Sequence, residues 1–167
     1  MTTSKAIQKI TPHLWFTKEA EEAAKFYTSI FPDSRVDRVC PLPAESPSCP
    51  AGSVKLVEFT LFGQPFRAIS AGPLDNFNHA ISLVVSCDDQ AEIDRYWNGL
   101  LAGGGTAEDC GWVKDKFGVS WQVVPAELAD LITDRDLAKA RRVAAAMLKM
   151  KKFDLAALRM AAAGKAA

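Results

Sequence analysis

The sequence contains few of the residues from which metal and redox centres are built. Among its 167 residues there are two histidines and four cysteines, and no two cysteines have the Cys-x-x-Cys spacing. Zinc knuckles and dithiol redox motifs are therefore not predicted. Reduced thiols are expected at Cys40, Cys49, Cys87 and Cys110. Phosphate-binding glycine loops, Ser-His-Asp sets and paired-carboxylate signatures are also missing.

Long apolar runs are missing as well. No uninterrupted stretch approaches the about 20 residues of a membrane span, and residues 1–13 lack the features of a signal peptide. We therefore expect a cytoplasmic protein without a membrane partner. With 49% hydrophobic and 24% charged residues, the composition is that of a globular protein. The length suits one domain or two fused half-domains.

Charge is distributed unevenly although the formal net charge is zero. Residues 135–167 contain nine Lys or Arg residues but only two acidic ones, Asp136 and Asp154. Such an asymmetry can attract an anionic partner. The region lacks the pattern of interleaved aromatic residues that stacks on bases, so we expect solvated basic helix faces and no nucleic-acid partner.

The hydrophobic pattern presents one plan twice. The first half predicts a strand at 9–16, a helix between its cap Thr17 and Pro32, and strands at 34–40 and on both sides of Gly63. The second half predicts a strand at 78–87, a helix from its cap Asp88 to Leu101, and a glycine run at 103–105 that ends the helix. Three further strands are predicted near 106–109, 112–116 and 119–125.

Two offsets relate the halves. A shift of 70 residues aligns the apolar positions of the two helices, and a shift of 55 aligns Phe62-Gly63 with Phe117-Gly118. The sequence therefore predicts two βαβββ modules related by an internal repeat.

Helices are predicted beyond Pro125. Apolar residues recur at helical spacing from Leu137 to Leu148 after a cap at Asp136, and Asp154 is placed to cap a last helix from Leu155 to about Ala162. We expect these helices to pack on the rest of the chain or on a partner chain, and a role in dimerisation or as a lid stays open.

Five segments, in this order, resemble the vicinal oxygen chelate (glyoxalase/bleomycin-resistance) superfamily: ITPHLWF, AEEAAKFYTSIFPDS, VEFTLFGQPF, NHAISLVVSCDDQAEIDRYW and CGWVKDKFGVSWQVVP. Within it they are similar to the PhnB-like group, whose domain is often labelled 3-demethylubiquinone 3-methyltransferase. The resemblance covers residues 7–132. It implies an α+β fold of two βαβββ modules, at about 7–72 and 77–125, with a helical C-terminal extension at 133–167.

The resemblance also implies how the modules are used. Each four-stranded sheet would curl into a half-open cup that encloses a small-molecule cavity, and a homodimer would cover exposed strand edges. The metal-binding members carry ligands on strands one, four, five and eight. These positions correspond to Pro12, Ala68, Ser82 and Gln122.

Of these four residues, only Gln122 carries a donor of acceptable type, so we predict no metal and no other cofactor. His13 adjoins the first position, on the opposite strand face, and His79 lies three residues before the third. A register error of one residue would turn them inward.

Seven residues are candidates for substrate binding. Gln122 either meets a ligand or hydrogen-bonds a neighbouring strand, and Arg67 either holds an anionic group or pairs with a neighbouring Glu. Trp97 and Trp121 are expected in the core, as are Ile81, Leu83 and Val85. The full set of candidates is His13, Trp15, Arg67, His79, Ser82, Trp112 and Gln122.

The predicted function is that of a PhnB-like protein that binds or converts a small metabolite in the sheet cavity without the usual metal. The alternative is a non-catalytic dimer that sequesters a ligand, as bleomycin-resistance members do. The sequence does not decide whether the protein is an enzyme. Methyl transfer is disfavoured because no glycine-rich loop for adenosylmethionine follows the first strand.

Overall fold

The computed structural model describes residues 9–43, 50 and 52–165. The chain divides into two compact units, Met1–Asp75 (unit 1) and Asn76–Ala167 (unit 2). Cys49, residues 7–8 of the predicted domain and residues 166–167 of the predicted extension lie outside the described residues. Within the described part of the chain, no helix is long and apolar enough to cross a membrane.

The described residues of unit 1 form one helix and one four-stranded sheet. Its sheet has the order β1-β4-β3-β2, in which β1 runs parallel to β4 and the other pairs are antiparallel. The elements are β1 His13–Phe16, α1 Ala20–Ile30, β2 Arg35–Pro41, β3 Lys55–Leu61 and β4 Gln64–Ser70.

Unit 2 repeats this arrangement and then adds helices. Its sheet has the equivalent order β5-β8-β7-β6, again with one parallel pair, β5 with β8. The predicted α+β fold of two βαβββ modules with C-terminal helices is confirmed. The elements are β5 Leu83–Cys87, α2 Gln90–Leu101, β6 Thr106–Ala107, β7 Trp112–Lys114, β8 Ser120–Pro125, α3 Leu128–Ile132, α4 Leu137–Met147 and α5 Leu155–Ala162.

Each sheet packs its first helix on one face. In unit 1 that face supplies Val57, Phe59 and Ala68, and in unit 2 it supplies Val113 and Trp121; all five are buried. The predicted core position of Trp97 is likewise confirmed. We call the opposite face of each sheet its open face. Because side chains alternate along a strand, its residues follow directly from the pairing register.

The N-terminal caps of the first two helices differ from the predicted ones. Glu19, not Thr17, occupies the cap position of α1, and the Ala20 N–H donates instead to the Ser70 hydroxyl of β4 at 3.0 Å. In α2 the cap is Asp89, not Asp88. Sequence spacing alone does not separate adjacent capping residues, because the choice depends on where the preceding strand ends.

The C-terminal helices form part of unit 2. Asp136 and Asp154 cap α4 and α5 as predicted. A side-chain amide, Gln90 of α2, accepts from the Leu155 N–H at 2.9 Å and donates to the Phe153 carbonyl at 3.1 Å. A buried cluster stabilises the helices from within, comprising Leu128, Val143, Phe153 and Leu158.

Three cysteines, Cys40, Cys87 and Cys110, lie in the described part of the chain, and they are free thiols. Burial, together with the negative charge of Glu92, raises the pKa of the Cys87 thiol to about 12. Cys87 is therefore protonated, and hence a poor nucleophile, at physiological pH.

Candidate functional site

The last strand of unit 2 is aligned by a buried carboxylate that precedes it. Asp115 accepts hydrogen bonds from the Phe117 and Val119 backbone N–H groups at 2.9 and 3.0 Å. Its second oxygen accepts from the Trp121 indole N–H at 2.8 Å. These bonds close the turn at Gly118 and hold Trp121 in the core. By strand alternation, the next residue, Gln122, then lies on the open face.

Gln122 both occupies this face and has a partner in a neighbouring strand. Its Nε2 donates to the Ser82 hydroxyl at 2.8 Å, and the residue is half-buried. In the pairing register it stands opposite Val84 on one side and Trp112 on the other. Val84 is 59% exposed. The open face of unit 2 thus combines an amide with apolar and aromatic surface.

Ser120 adds an unsatisfied group to the same strand. Its hydroxyl is buried and has no hydrogen-bond partner among the described residues. Leaving such a group unpaired costs about 1–3 kcal/mol. By alternation it lies on the same strand face as Gln122.

His79 is brought to this face by a route that the sequence did not indicate. Strand β5 begins only at Leu83, so the predicted alternation from residue 78 onward does not apply. The prediction that Ile81 belongs to the core is wrong, since it is 73% exposed. His79 Nε2 lies 2.7 Å from Glu108 Oε2, and its ring centroid lies 5.4 Å from that of Trp112.

Glu108 links two basic groups. Besides His79, it faces Lys114, whose Nζ lies 3.8 Å from Oε1. Its backbone N–H donates to the Trp112 carbonyl at 2.9 Å, which places it beside that strand. A carboxylate paired with a histidine fixes the orientation of the ring. The arrangement can hold a polar ligand against Trp112 or exchange a proton with it.

The open face of unit 1 carries a row of titratable, mostly charged side chains that crosses all four strands. His13 of β1 pairs with Arg67 of β4, which pairs with Glu58 of β3, which in turn pairs with Arg38 of β2. Arg38 contacts Glu58 Oε2 through Nε at 3.1 Å and Nη2 at 3.0 Å, and Arg67 Nε lies 3.3 Å from Oε1. We call these four residues the charged row.

The family-derived register for unit 1 is therefore displaced by one residue. Ala68, which the resemblance placed at a ligand position, is buried on the face that packs against α1. Pro12 precedes β1, and His13 occupies the open face in its place. A shift of one residue exchanges the two faces of a strand. The resemblance therefore pointed to Pro12 and Ala68, whereas their neighbours His13 and Arg67 lie on the open face.

His13 is partly buried and lies beside the Arg67 guanidinium. Partial burial, followed by repulsion from Arg67, holds the pKa of His13 below its ordinary value. The imidazole is thus neutral at pH 7, and the net charge of the row comes from its arginines and its single carboxylate.

A half-exposed apolar row runs beside the charged row. Two residues further along β1, Trp15 pairs with Ile69, which pairs with Leu56, which pairs with Cys40. The Trp15 indole N–H donates to the Gly72 carbonyl at 2.9 Å, which fixes the orientation of its ring. We call these four residues the apolar row.

The donors present do not fit the divalent metal that the superfamily implies. In unit 1 the only imidazole, His13, lies beside Arg67, whose guanidinium repels a cation. In unit 2 the two family-derived positions hold the neutral Ser82 and Gln122, which bond to each other. Across the residues that the structure describes, no group of three or more His, Cys, Asp or Glu side chains could hold a metal ion.

The sequence reasoning missed four residues that shape these surfaces. Each is a charged residue within or next to a strand. In the sequence, a charge at such a position was the only indication that the residue has a functional role. The partners of Arg38 and Glu58 became evident only from strand pairing, that of Glu108 from the turn before β5, and those of Asp115 from the turn before β8. The residues are Arg38, Glu58, Glu108 and Asp115.

Solved structures with the same fold are found in several bacteria. The PhnB protein from Bacillus cereus, described as a 3-demethylubiquinone-9 3-methyltransferase, is 36% identical to this chain. That match covers 70% of this chain and 99% of the other, with a TM-score of 0.60. Protein PA1353 from Pseudomonas aeruginosa is 24% identical over 71% of this chain and 98% of its own, with a TM-score of 0.54.

A more distant likeness shows the fold alone. The fosfomycin resistance protein FosX from Listeria monocytogenes is 13% identical, over 75% of this chain and 97% of its own, with a TM-score of 0.53. PhnB and FosX share the fold of the vicinal oxygen chelate superfamily. In a comparison with curated proteins, no match is found.

The family model described as 3-demethylubiquinone-9 3-methyltransferase matches residues 8–124. Together with the likeness to the Bacillus cereus protein, this match covers most of the chain. The chain therefore belongs to that PhnB-like family of the vicinal oxygen chelate superfamily.

Proposed function

We propose that the protein binds a small organic metabolite on the open faces of its sheets and does so without a divalent metal. The observation that carries the proposal is the half-buried Gln122 amide, bonded to Ser82 and flanked by Trp112 and the exposed Val84. Apolar surface with a few fixed polar groups is the usual composition of a small-molecule site.

The polar groups of unit 2 favour a ligand that has both donors and acceptors. Gln122 retains amide hydrogen-bonding capacity beyond its bond to Ser82. Glu108 orients His79 next to the Trp112 ring, where an imidazole can donate to or accept from a bound molecule. His13, Trp15 and Arg67 would provide the corresponding contacts on unit 1.

Benzamide is a suitable first probe because it is planar, neutral and carries an amide. We expect its addition to shift the NMR signals of the Trp112 indole N–H and the Gln122 side-chain amide. The Trp97 and Trp121 indole signals should stay in place, because both side chains are buried. Equal shifts at all of these groups, or shifts only at the buried tryptophans, would contradict the proposal.

Two glutamines provide a matched pair of variants. Gln122→Ala should weaken benzamide binding about tenfold, by the loss of about one ligand hydrogen bond. Gln64→Ala removes an exposed glutamine from β4 of unit 1 and should leave binding unchanged. Chelation of divalent metals with EDTA should also leave benzamide binding unchanged. A loss of binding on chelation would show that the site depends on a metal.

The alternative function is sequestration of a ligand by a dimer. Strands β2 and β6 lie at the edges of their sheets, and unpaired edges favour association with a second copy. We propose a homodimer and expect twice the monomer mass in light scattering. Once a ligand is known, its recovery without chemical change favours sequestration, while product formation favours an enzyme.

A further inference from the structure

We propose that the charged row of unit 1 binds the anionic group of a small organic acid, such as a carboxylate, while the apolar row holds the acid's apolar body. This inference rests on the proposed small-molecule function and names a class of ligand for it. The residues that carry it are Arg38, Arg67 and Glu58, with Trp15 beside them.

The charges of the row do not balance. Two guanidinium groups share one carboxylate, Glu58, so one positive charge is left over. The nearby Asp37 does not compensate for it, because its carboxylate is occupied by Arg35 at 2.7 Å and by the Thr60 hydroxyl at 2.6 Å. An anion on this face would complete the pairing.

Arg67 is the group best placed to take the anion. Its side chain is 55% exposed, and its guanidinium makes no hydrogen bond within the described part of the chain beyond the ion pair to Glu58. A guanidinium presents N–H groups in a planar fork that matches the two oxygens of a carboxylate. Arg38, in contrast, directs two nitrogens at a single Glu58 oxygen.

Stability does not account for this arrangement. Exposed ion pairs contribute little to stability, and the arginine side chains of the row are more than half exposed. A binding role explains why two arginines flank a single carboxylate on one sheet face.

The spacing of the two rows sets the shape of the ligand. Two residues along a strand span about 7 Å, which is the length of a small aromatic acid from carboxylate to ring edge. Trp15 offers a ring held in place by its bond to the Gly72 carbonyl, and Ile69 and Leu56 continue the apolar surface. We therefore assign the ligand class as a small acid with a planar or branched apolar body.

Benzoate and benzamide test this assignment, because they share a ring and differ by one charge. Titrations of the full chain followed by NMR should show benzoate binding about tenfold more tightly than benzamide at Trp15, the advantage expected of a charge-assisted pair. Inorganic phosphate provides a third arm. Its shifts should be confined to the arginines, and it should not displace the Trp15 signal.

Three charge variants and one control are expected to change benzoate binding in different directions. Arg67→Gln and Arg38→Gln should each weaken benzoate binding about tenfold, while Glu58→Gln should strengthen it, because both guanidinium groups are then released. The control, Lys25→Gln, removes one positive charge from α1 on the other side of the sheet and should leave benzoate binding unchanged. Unshifted Trp97 and Trp121 signals confirm that each variant is folded.

Some outcomes would overturn the inference. Equal affinities for benzoate and benzamide, weaker benzoate binding in Glu58→Gln, or an equal effect of Lys25→Gln would each refute a specific anion site. Phosphate binding as tight as benzoate binding would refute the role of the apolar row. If benzamide still shifts Gln122 and Trp112 in these cases, the proposed function stands and only this inference fails.

Discussion

The two units of the chain share a backbone plan and differ in what they place on its open face. Both sheets use the same strand order, and the row that crosses unit 1 as His13, Arg67, Glu58 and Arg38 has a counterpart in unit 2. There the corresponding positions hold Val84, Gln122, Trp112 and Glu108. The two units thus share a topology, while this row is mostly charged in unit 1 and mostly neutral in unit 2.

The units also differ in how their later strands are stabilised. Strands β2 and β3 have seven residues each, whereas β6 and β7 have two and three. Unit 2 compensates with the segment between α4 and α5, since the Cys110 and Gly111 N–H groups donate to its Met150 and Lys151 carbonyls at 2.7 Å. Short strands thus persist where another segment provides hydrogen bonds and packing.

The largest expected effect comes from the buried carboxylate of unit 2. Asp115→Ala leaves three N–H donors without their acceptor, and we expect a loss of about 3 kcal/mol or more in the free energy of unfolding. Asp37→Ala, its control in unit 1, leaves only the Thr60 hydroxyl without its acceptor and breaks the ion pair with the exposed Arg35, so it should cost about 1–2 kcal/mol. Urea unfolding followed by tryptophan fluorescence measures both, and equal losses would contradict the contrast.

A smaller effect is expected where the C-terminal segment meets the sheet. A Cβ on Gly111 would lie 2.4 Å from the Phe153 ring, and φ is +79° there, so Gly111→Ala should cost about 2–3 kcal/mol. Gly52→Ala in unit 1 has a similar φ, +77°, and open space around it. It should cost about 1 kcal/mol, the contribution of backbone strain alone. Similar thermal shifts for the two variants would exclude close packing against Phe153.

The smallest effect concerns the titration of His13. Its folded pKa lies below the value of about 6.5 in an unfolded chain, so its contribution to stability is complete above that pH and is lost as the pH falls through the lowered value. Arg67→Ala should raise the pKa only partly, because burial is the larger cause. NMR titration of the imidazole measures this, and an unchanged or lower pKa in the variant would contradict the account.

Much of the fold could be predicted from periodic patterns. Apolar spacing located the strands and helices, and the caps Asp136 and Asp154 were placed correctly because each stands just before a helical stripe. The offset of 70 residues correctly related the first helices of the two units. These signals are local or repeat along the chain, so a single sequence contains them.

The candidate site was harder to predict because it depends on register. A one-residue displacement in β1 and β4 exchanged Ala68 for Arg67 and placed His13 on the open face. His79 reaches Glu108 through a turn, to which strand alternation does not apply. Pairing of Glu58 with Arg38 and Arg67 depends on the pairing of three strands, which no local pattern determines.

The most direct test exchanges the residues that distinguish the two rows. Arg67 and Gln122 occupy equivalent positions in their sheets, so the double variant Arg67→Gln with Gln122→Arg moves the surplus positive charge from unit 1 to unit 2. We predict that benzoate, which should shift the Trp15 indole signal in the native protein, will shift Trp112 in the double variant. Benzoate that still shifts Trp15 there, or shifts neither residue, would contradict the account.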